Sequence, residues 1–209
     1  PFLLYQLHCT RKSSFRRNIF VGKKVWNIPN TLSLLRVFLA PLVLIFLTFK
    51  FTYPVYSVED LGILVTVGDV LAGSVFILAA LTDTADGYIA RKKGMVTNLG
   101  KFIDPLADKI LVMAALIALV ELHRIPAWIV VVILTREMIV TGVRMVAAAE
   151  GIVIAASNAG KLKTVFQIVA IAMIIFNIPF GIHVMWVAML MTLWSGMDYL
   201  IKGKKLFTE

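Results

Sequence analysis

The chain has 209 residues, 60% of them hydrophobic and only 16% charged, with a mean hydropathy of +0.89. Those values exclude an ordinary water-soluble globule and point to an all-α, polytopic membrane protein of one domain. The net charge of +9 raises nucleic-acid binding as a class, but the basic residues lie where membrane topology and lipid contact account for them.

The single Cys9 excludes an intramolecular disulfide, and His8, His123 and His183 lack metal-ligand spacing, so each reads as an interfacial residue. Residues 1–26 form a basic arm. Within 10–27, Arg11, Lys12, Arg16, Arg17, Lys23 and Lys24 alternate with Phe15, Ile19, Phe20, Val25 and Trp26, as in an amphipathic helix lying on anionic lipid. No cleavable signal is expected, because these basic residues lead into no apolar core with a small-residue cleavage site. Pro29 is expected to break the chain, with Asn30 or Thr31 capping the next helix.

Six spans follow within a domain over 27–201. Span 1 covers about 31–51, and Arg36 near its start either snorkels to the headgroups or faces a polar cavity. Residues 52–68, with Glu59 and Asp60, form an outer connection whose boundary with span 2 is blurred by the apolar run Leu61–Val67. Span 2 covers about 69–91, with Asp69 as its expected N-cap. A loop over 92–100 leads to span 3, about 101–120, and a loop that short makes the two spans antiparallel neighbours. Pro126 opens span 4, which runs to about Ala149. In it Glu137, Thr141 and Arg144 share a face at i, i+4, i+7, either as an ion pair between helices or as part of a site. Span 5 starts near Lys161 and Lys163 and ends near Asn177-Ile178-Pro179. Span 6 covers about 181–200, and 202–209 is a basic tail with Lys202, Lys204 and Lys205.

Spans of about 20 residues match a hydrocarbon core of roughly 30 Å. The arm, the 2–3 loop, the 4–5 region and the tail carry most of the basic residues, while the other side has only Lys50 and Arg124. Both termini and the 2–3 loop therefore belong on the cytoplasmic side.

The stretch from Asp83 to Asp108, DTADGYIARKKGMVTNLGKFIDPLAD, breaks the apolar pattern with four carboxylates. Ionised groups in a membrane are costly and usually serve a function. On a helix Asp83 and Asp86 share one face, as do Asp104 and Asp108. Brought together, the four must either protonate or recruit cations. Gly87 and Ala90 leave room beside the Asp83/Asp86 face, and Arg91 adds a positive charge. Carboxylates suited to Mg²⁺, a bare helix face and an arginine are what a diphosphate ester needs.

The spacing D-x2-D-G-x2-A-R-x8-G-x3-D-x3-D is complete as Asp83, Asp86, Gly87, Ala90, Arg91, Gly100, Asp104 and Asp108, and resembles the CDP-alcohol phosphotransferase signature. The resemblance implies transfer of a phosphatidyl group from a CDP-linked donor, commonly CDP-diacylglycerol, to an alcohol with release of CMP. It implies two Mg²⁺ or Mn²⁺ ions on Asp83, Asp86, Asp104 and Asp108, with Asp108 also the catalytic base. CDP would contact Asn30, Asp86, Gly87, Ala90, Arg91 and Gly100. A homodimer in the bacterial plasma membrane is likewise implied.

Arg136, Arg144 and Lys161 concentrate positive charge on the cytoplasmic side of spans 4 and 5, favouring an anionic acceptor held through its phosphate. The segments NIPNTLSLLR, GKFIDPLADKI, RIPAWIVVVILTREMIVTGVR and GKLKT resemble the branch of the family whose acceptor is sn-glycerol 3-phosphate. Inositol phosphate, serine or phosphatidylglycerol are the alternative acceptors. A cation-coupled transporter is the alternative class, disfavoured because transporter sites usually lie near the midplane on broken helices, and a catalytically dead scaffold is disfavoured by the intact signature.

Overall fold

A computed structural model describes residues 28–49, 51, 53–58, 63–93, 98–149 and 158–203; within these the side chains of 28–30, 58, 83–93, 98–105, 108, 148–149, 158–159, 161 and 198–203 are not described. Six helices account for most of them: α1 (Ile28–Thr48), α2 (Val67–Lys93), α3 (Asn98–Glu121), α4 (Ala127–Ala149), α5 (Asn158–Ile175) and α6 (Gly181–Gly203). The expected basic interfacial helix and the end of the tail lie outside the described residues.

The start of α1 departs from expectation. The helix already includes Ile28, so Pro29 does not break the chain, and Asn30 and Thr31 lie inside the first turns rather than capping them. Proline is tolerated there because the first N–H groups of a helix have no intrahelical acceptor. Pro41 lies in the helix interior, where it withholds a donor from the carbonyl of Val37.

The outer connection is not irregular throughout. β1 (Pro54–Val58) and β2 (Ile63–Thr66) pair antiparallel, with Pro54 opposite Thr66 and Val58 opposite Ile63, and with an irregularity between Pro54 and Tyr56. Isoleucine, valine and tyrosine favour a strand over a helix extension. The apolar run before Val67 is therefore a strand rather than the beginning of the second span. Glu59 and Asp60 lie outside the described residues.

Asp69 is not the N-cap of α2 but the reciprocal partner of one. Thr66 Oγ1 accepts the Asp69 N–H at 3.2 Å, and the Asp69 carboxylate accepts both the Thr66 N–H and its hydroxyl at 2.9 Å. This is a capping box with aspartate in the third helical position. Two other ends are closed by backbone geometry. At the end of α3 His123 takes φ 56°, and Arg124 and His123 donate to Leu119 and Val120; at the end of α5 Asn177 takes φ 51°, and Ile178 and Asn177 donate to Met173 and Ile174. Both patterns are Schellman motifs, so α5 stops where the Asn-Ile-Pro triplet indicated.

Helix α1 packs against both α2 and α3, and α5 packs against α6, which also meets α4. Among the described residues α2 and α3 touch each other far less than either touches α1. Small buried residues, Ala40, Ala72, Ala79, Ala115, Ala118, Ala170 and Ala188, let the backbones approach, while Phe76, Leu116, Ile129, Ile171 and Met185 fill the space between them. Gly68 meets a neighbouring backbone: a Cβ there would sit 2.4 Å from the carbonyl oxygen of Phe46. Thr48, Thr82, Thr141, Thr164 and Thr192 each donate their hydroxyl to the carbonyl four residues back, satisfying it without a partner outside the helix.

Large apolar side chains point outward, among them Phe38, Leu190 and Trp194, the last 78% exposed. Thr31–Thr48, with a mean hydropathy of 2.1, is long and apolar enough to cross a membrane; shorter apolar stretches run over Val67–Thr82, Leu162–Ile175 and Gly181–Met197.

Candidate active site

The fold has two distinguishable ends. At one, Arg124 donates to both carboxylate oxygens of Asp69, at 2.8 and 3.1 Å, and to the carbonyl of Ile175 at 2.8 Å. Asp69 is almost fully buried, so this bidentate pair joins the start of α2, the α3–α4 turn and the end of α5. The Asp-rich stretch lies at the opposite end. Asp83, Asp86, Gly87, Ala90 and Arg91 ride on the C-terminal part of α2; Gly100, Asp104 and Asp108 ride on the first turns of α3; only 94–97 separate the two helices. At 1.5 Å per residue, Asp83 lies about 21 Å along α2 from Asp69.

Helical backbone under both halves of the stretch gives each Asp pair the one-turn spacing that a shared face requires. Four carboxylates are hard oxygen donors, the chemistry Mg²⁺ and Mn²⁺ prefer. The donor set thus fits a divalent cation. The side chains of these aspartates, of the residues expected to contact CDP, and of Lys161 lie outside the description.

The described side chains at this end form one charged cluster centred on Glu137 of α4. Its Oε2 accepts from Lys109 Nζ of α3 at 2.8 Å, and its Oε1 accepts from Lys163 Nζ of α5 and from Arg136 Nη1 at 3.4 Å. Arg136 also donates through Nη2 to Ser195 Oγ of α6 at 2.6 Å. Gly196 admits this guanidinium, since a Cβ there would lie 3.0 Å from Arg136 Cγ. All these groups are mostly withdrawn from solvent, and buried charges persist only when paired and hydrogen-bonded.

Glu137 does form the ion pair between helices that its position allowed, but its partners are lysines on α3 and α5. Arg144, which shares that face two turns on, is exposed. Of the three residues expected to grip the acceptor phosphate, Arg136 is turned inward to Ser195 and Glu137, and Arg144 joins it in no described contact. Arg36 is buried, 3% exposed, with its guanidinium 3.3 Å from Ser33 Oγ, so it does not snorkel outward. Lys109, Lys163 and Ser195 were not anticipated. The available signal was a lysine inside an apolar helix, which implies a buried counter-charge without naming it.

A bundle of apolar helices, with an Asp-x2-Asp-Gly-x2-Ala-Arg stretch on one and Gly-x3-Asp-x3-Asp on the next, defines an enzyme class. The chain belongs to the CDP-alcohol phosphatidyltransferase family, which it matches over residues 26–194. It is 45% identical to a Bacillus subtilis CDP-diacylglycerol–glycerol-3-phosphate 3-phosphatidyltransferase, over 86% of this chain and 96% of that one. It is 38% identical to a probable phosphatidylglycerophosphate synthase of Mycobacterium tuberculosis, over 86% and 83% of the two chains, and 32% identical to a Rickettsia bellii protein named like the Bacillus one, over 87% and 97%. The family comprises membrane-bound enzymes of lipid synthesis that generally depend on a divalent metal.

Proposed function

We propose that the chain is a phosphatidylglycerophosphate synthase, transferring the phosphatidyl group of CDP-diacylglycerol to sn-glycerol 3-phosphate. The observation that carries this reading is the unbroken signature on α2 and α3 in a chain 45% identical, over most of its length, to a protein named for that reaction.

In the reaction the acceptor's free primary hydroxyl forms a new P–O bond to the phosphatidyl phosphorus. The P–O bond to the CMP phosphate breaks, and the hydroxyl proton passes to Asp108. Asp83, Asp86, Asp104 and Asp108 would hold two Mg²⁺ or Mn²⁺ ions, which would supply charge neutralisation on the diphosphate and on the departing phosphate. Asn30, Asp86, Gly87, Ala90, Arg91 and Gly100 form the CDP side of the site, with Gly87 and Ala90 leaving room for the nucleotide. Arg144 and Lys161, with Arg136, hold the acceptor's phosphate, arginine through its bidentate fork; Arg136 reaches it only by giving up its bonds to Ser195 and Glu137.

The six helices are the six spans of a single domain over 27–201 in a bacterial plasma membrane, with the active site and both termini cytoplasmic and two chains forming a homodimer. Helices α3 and α4, with 24 and 23 residues, reach about 35 Å at 1.5 Å per residue, enough to cross. The arm 1–26 and the tail 202–209 rest on anionic lipid.

Purified protein supplied with CDP-diacylglycerol, Mg²⁺ or Mn²⁺ and one acceptor at a time decides the matter. CMP release with sn-glycerol 3-phosphate, lost on chelation, is expected. Release with inositol phosphate, serine or phosphatidylglycerol and none with glycerol 3-phosphate overturns the assignment; metal-dependent ion flux into proteoliposomes without CMP formation replaces it with a transporter.

A further inference from the structure

Three residues of the proposed site have chain neighbours, one or two residues away, in the Glu137 cluster. Lys109 follows Asp108 on α3, Glu137 follows Arg136 on α4, and Lys163 is two residues beyond Lys161 on α5. The carboxylate divides its oxygens between them, Oε2 to Lys109 and Oε1 to Lys163 and Arg136.

From this geometry we infer that Glu137 is a positioning residue: it fixes α3, α4 and α5 in the register that sets the proposed base, Asp108, against the residues proposed to hold the acceptor's phosphate. The inference rests on the proposed acceptor side of the site and adds a residue that touches neither substrate nor metal.

The physical argument is one of leverage. Residues one and two apart on a helix are displaced axially by about 1.5 and 3 Å, so an ion pair at Lys109 or Lys163 holds the backbone of its neighbour almost as firmly as its own. Reaction needs the attacking oxygen aligned within a fraction of an ångström, and a shift of about 1 Å costs on the order of 100-fold. The members of the cluster lie on α3, α4, α5 and α6, whereas Asp86, Gly87, Ala90 and Arg91 of the proposed CDP side lie on α2 and Asn30 on α1. Gly100, Asp104 and Asp108 stay together on α3 when Glu137 is lost, whereas α4 and α5, which carry the residues proposed for the acceptor, lose their tie to it, so the loss falls mainly on the acceptor. A structural role alone would lower the amount of active enzyme and leave both Michaelis constants in place.

The test compares wild type, Glu137→Gln and Glu137→Asp as purified full-length protein in lipid nanodiscs, with KM and kcat measured separately for each substrate. Glu137→Gln keeps the size and removes the charge. It is expected to raise KM for sn-glycerol 3-phosphate at least 10-fold and to hold KM for CDP-diacylglycerol within twofold, with Glu137→Asp recovering most of the acceptor affinity. Equal changes in both constants, or a fall in kcat alone that matches the loss of folded protein, overturn the inference. If Glu137→Gln does not fold, Glu137→Asp decides, with an acceptor KM at least threefold above wild type expected and an unchanged one overturning it. The wild-type control separates the two readings: if wild type uses another anionic acceptor, the proposed function falls, and the positioning role is read from that acceptor's KM.

Discussion

Asp108 and Lys109 are consecutive on α3 and opposite in charge, and separate partners are assigned to them. Lys109 is committed to Glu137, 28 residues away in sequence. Asp108 carries the proposed proton transfer. Asparagine in its place keeps nearly the same volume but accepts no proton and binds a divalent cation poorly. Asp108→Asn is expected to cut CMP release at least about 1,000-fold, within the range that a general base and metal ligand supply. The thermal unfolding midpoint should stay close to that of wild type. Residual activity within tenfold of wild type would remove Asp108 from the chemistry. At this scale the signature was legible because eight positions over 26 residues are fixed relative to one another along the chain. The partners of Arg136, Asp69 and Lys163 were not, because 59, 55 and 26 residues separate them, and only the packing of helices brings such pairs together.

At the scale of elements, existence was easier to read than ends. Every span expected from hydropathy has a helix under it, because long apolar runs satisfy their backbone only by internal hydrogen bonds. The ends obey local chemistry instead. Pro29 was read as a breaker although the first turn tolerates proline, and Ile63–Thr66, placed in the outer connection with a blurred boundary to span 2, is a strand that pairs with Pro54–Val58. Asp69 shows how one residue serves an end and the tertiary structure together, closing the capping box and holding Arg124. Thr66→Ala removes only the cap and should cost about 0.5–2 kcal/mol. Asp69→Ala also strips a buried ion pair of one partner, for which about 3–5 kcal/mol is usual; the lower end is expected, because Arg124 keeps the Ile175 carbonyl and 21% exposure. Thermal unfolding in a fixed detergent should therefore rank Asp69→Ala below Thr66→Ala, with KM for both substrates unchanged because the pair lies at the end away from the Asp-rich stretch. The reverse ranking would mean that the cap, not the ion pair, holds this end.

For the whole molecule, the outward-facing Phe38, Leu190 and Trp194 and the inward-facing charges at Arg36, Arg136 and Lys163 invert the arrangement of a protein surrounded by water. Lipid as the surrounding medium resolves the inversion. The proposed orientation, with the Asp-rich end cytoplasmic, rests on the distribution of basic residues. The structure sharpens that count, since Arg124, one of the two on the opposite side, is paired with Asp69. On that proposed orientation the β1–β2 hairpin, with exposed Tyr56 and the exposed Tyr53 just before it, sits at the outer headgroup level, where tyrosine is favoured. Because Cys9 is the sole native thiol, Cys9→Ser gives a silent background for mapping sidedness. Ser57 is exposed on β1, and Thr97 falls in the sequence between α2 and α3, inside the signature. In intact cells Ser57→Cys should react with a membrane-impermeant maleimide and Thr97→Cys should not, while both react once the membrane is opened. The opposite pattern would place the Asp-rich end outside, away from cytoplasmic CDP-linked donors, and the proposed reaction could not proceed there.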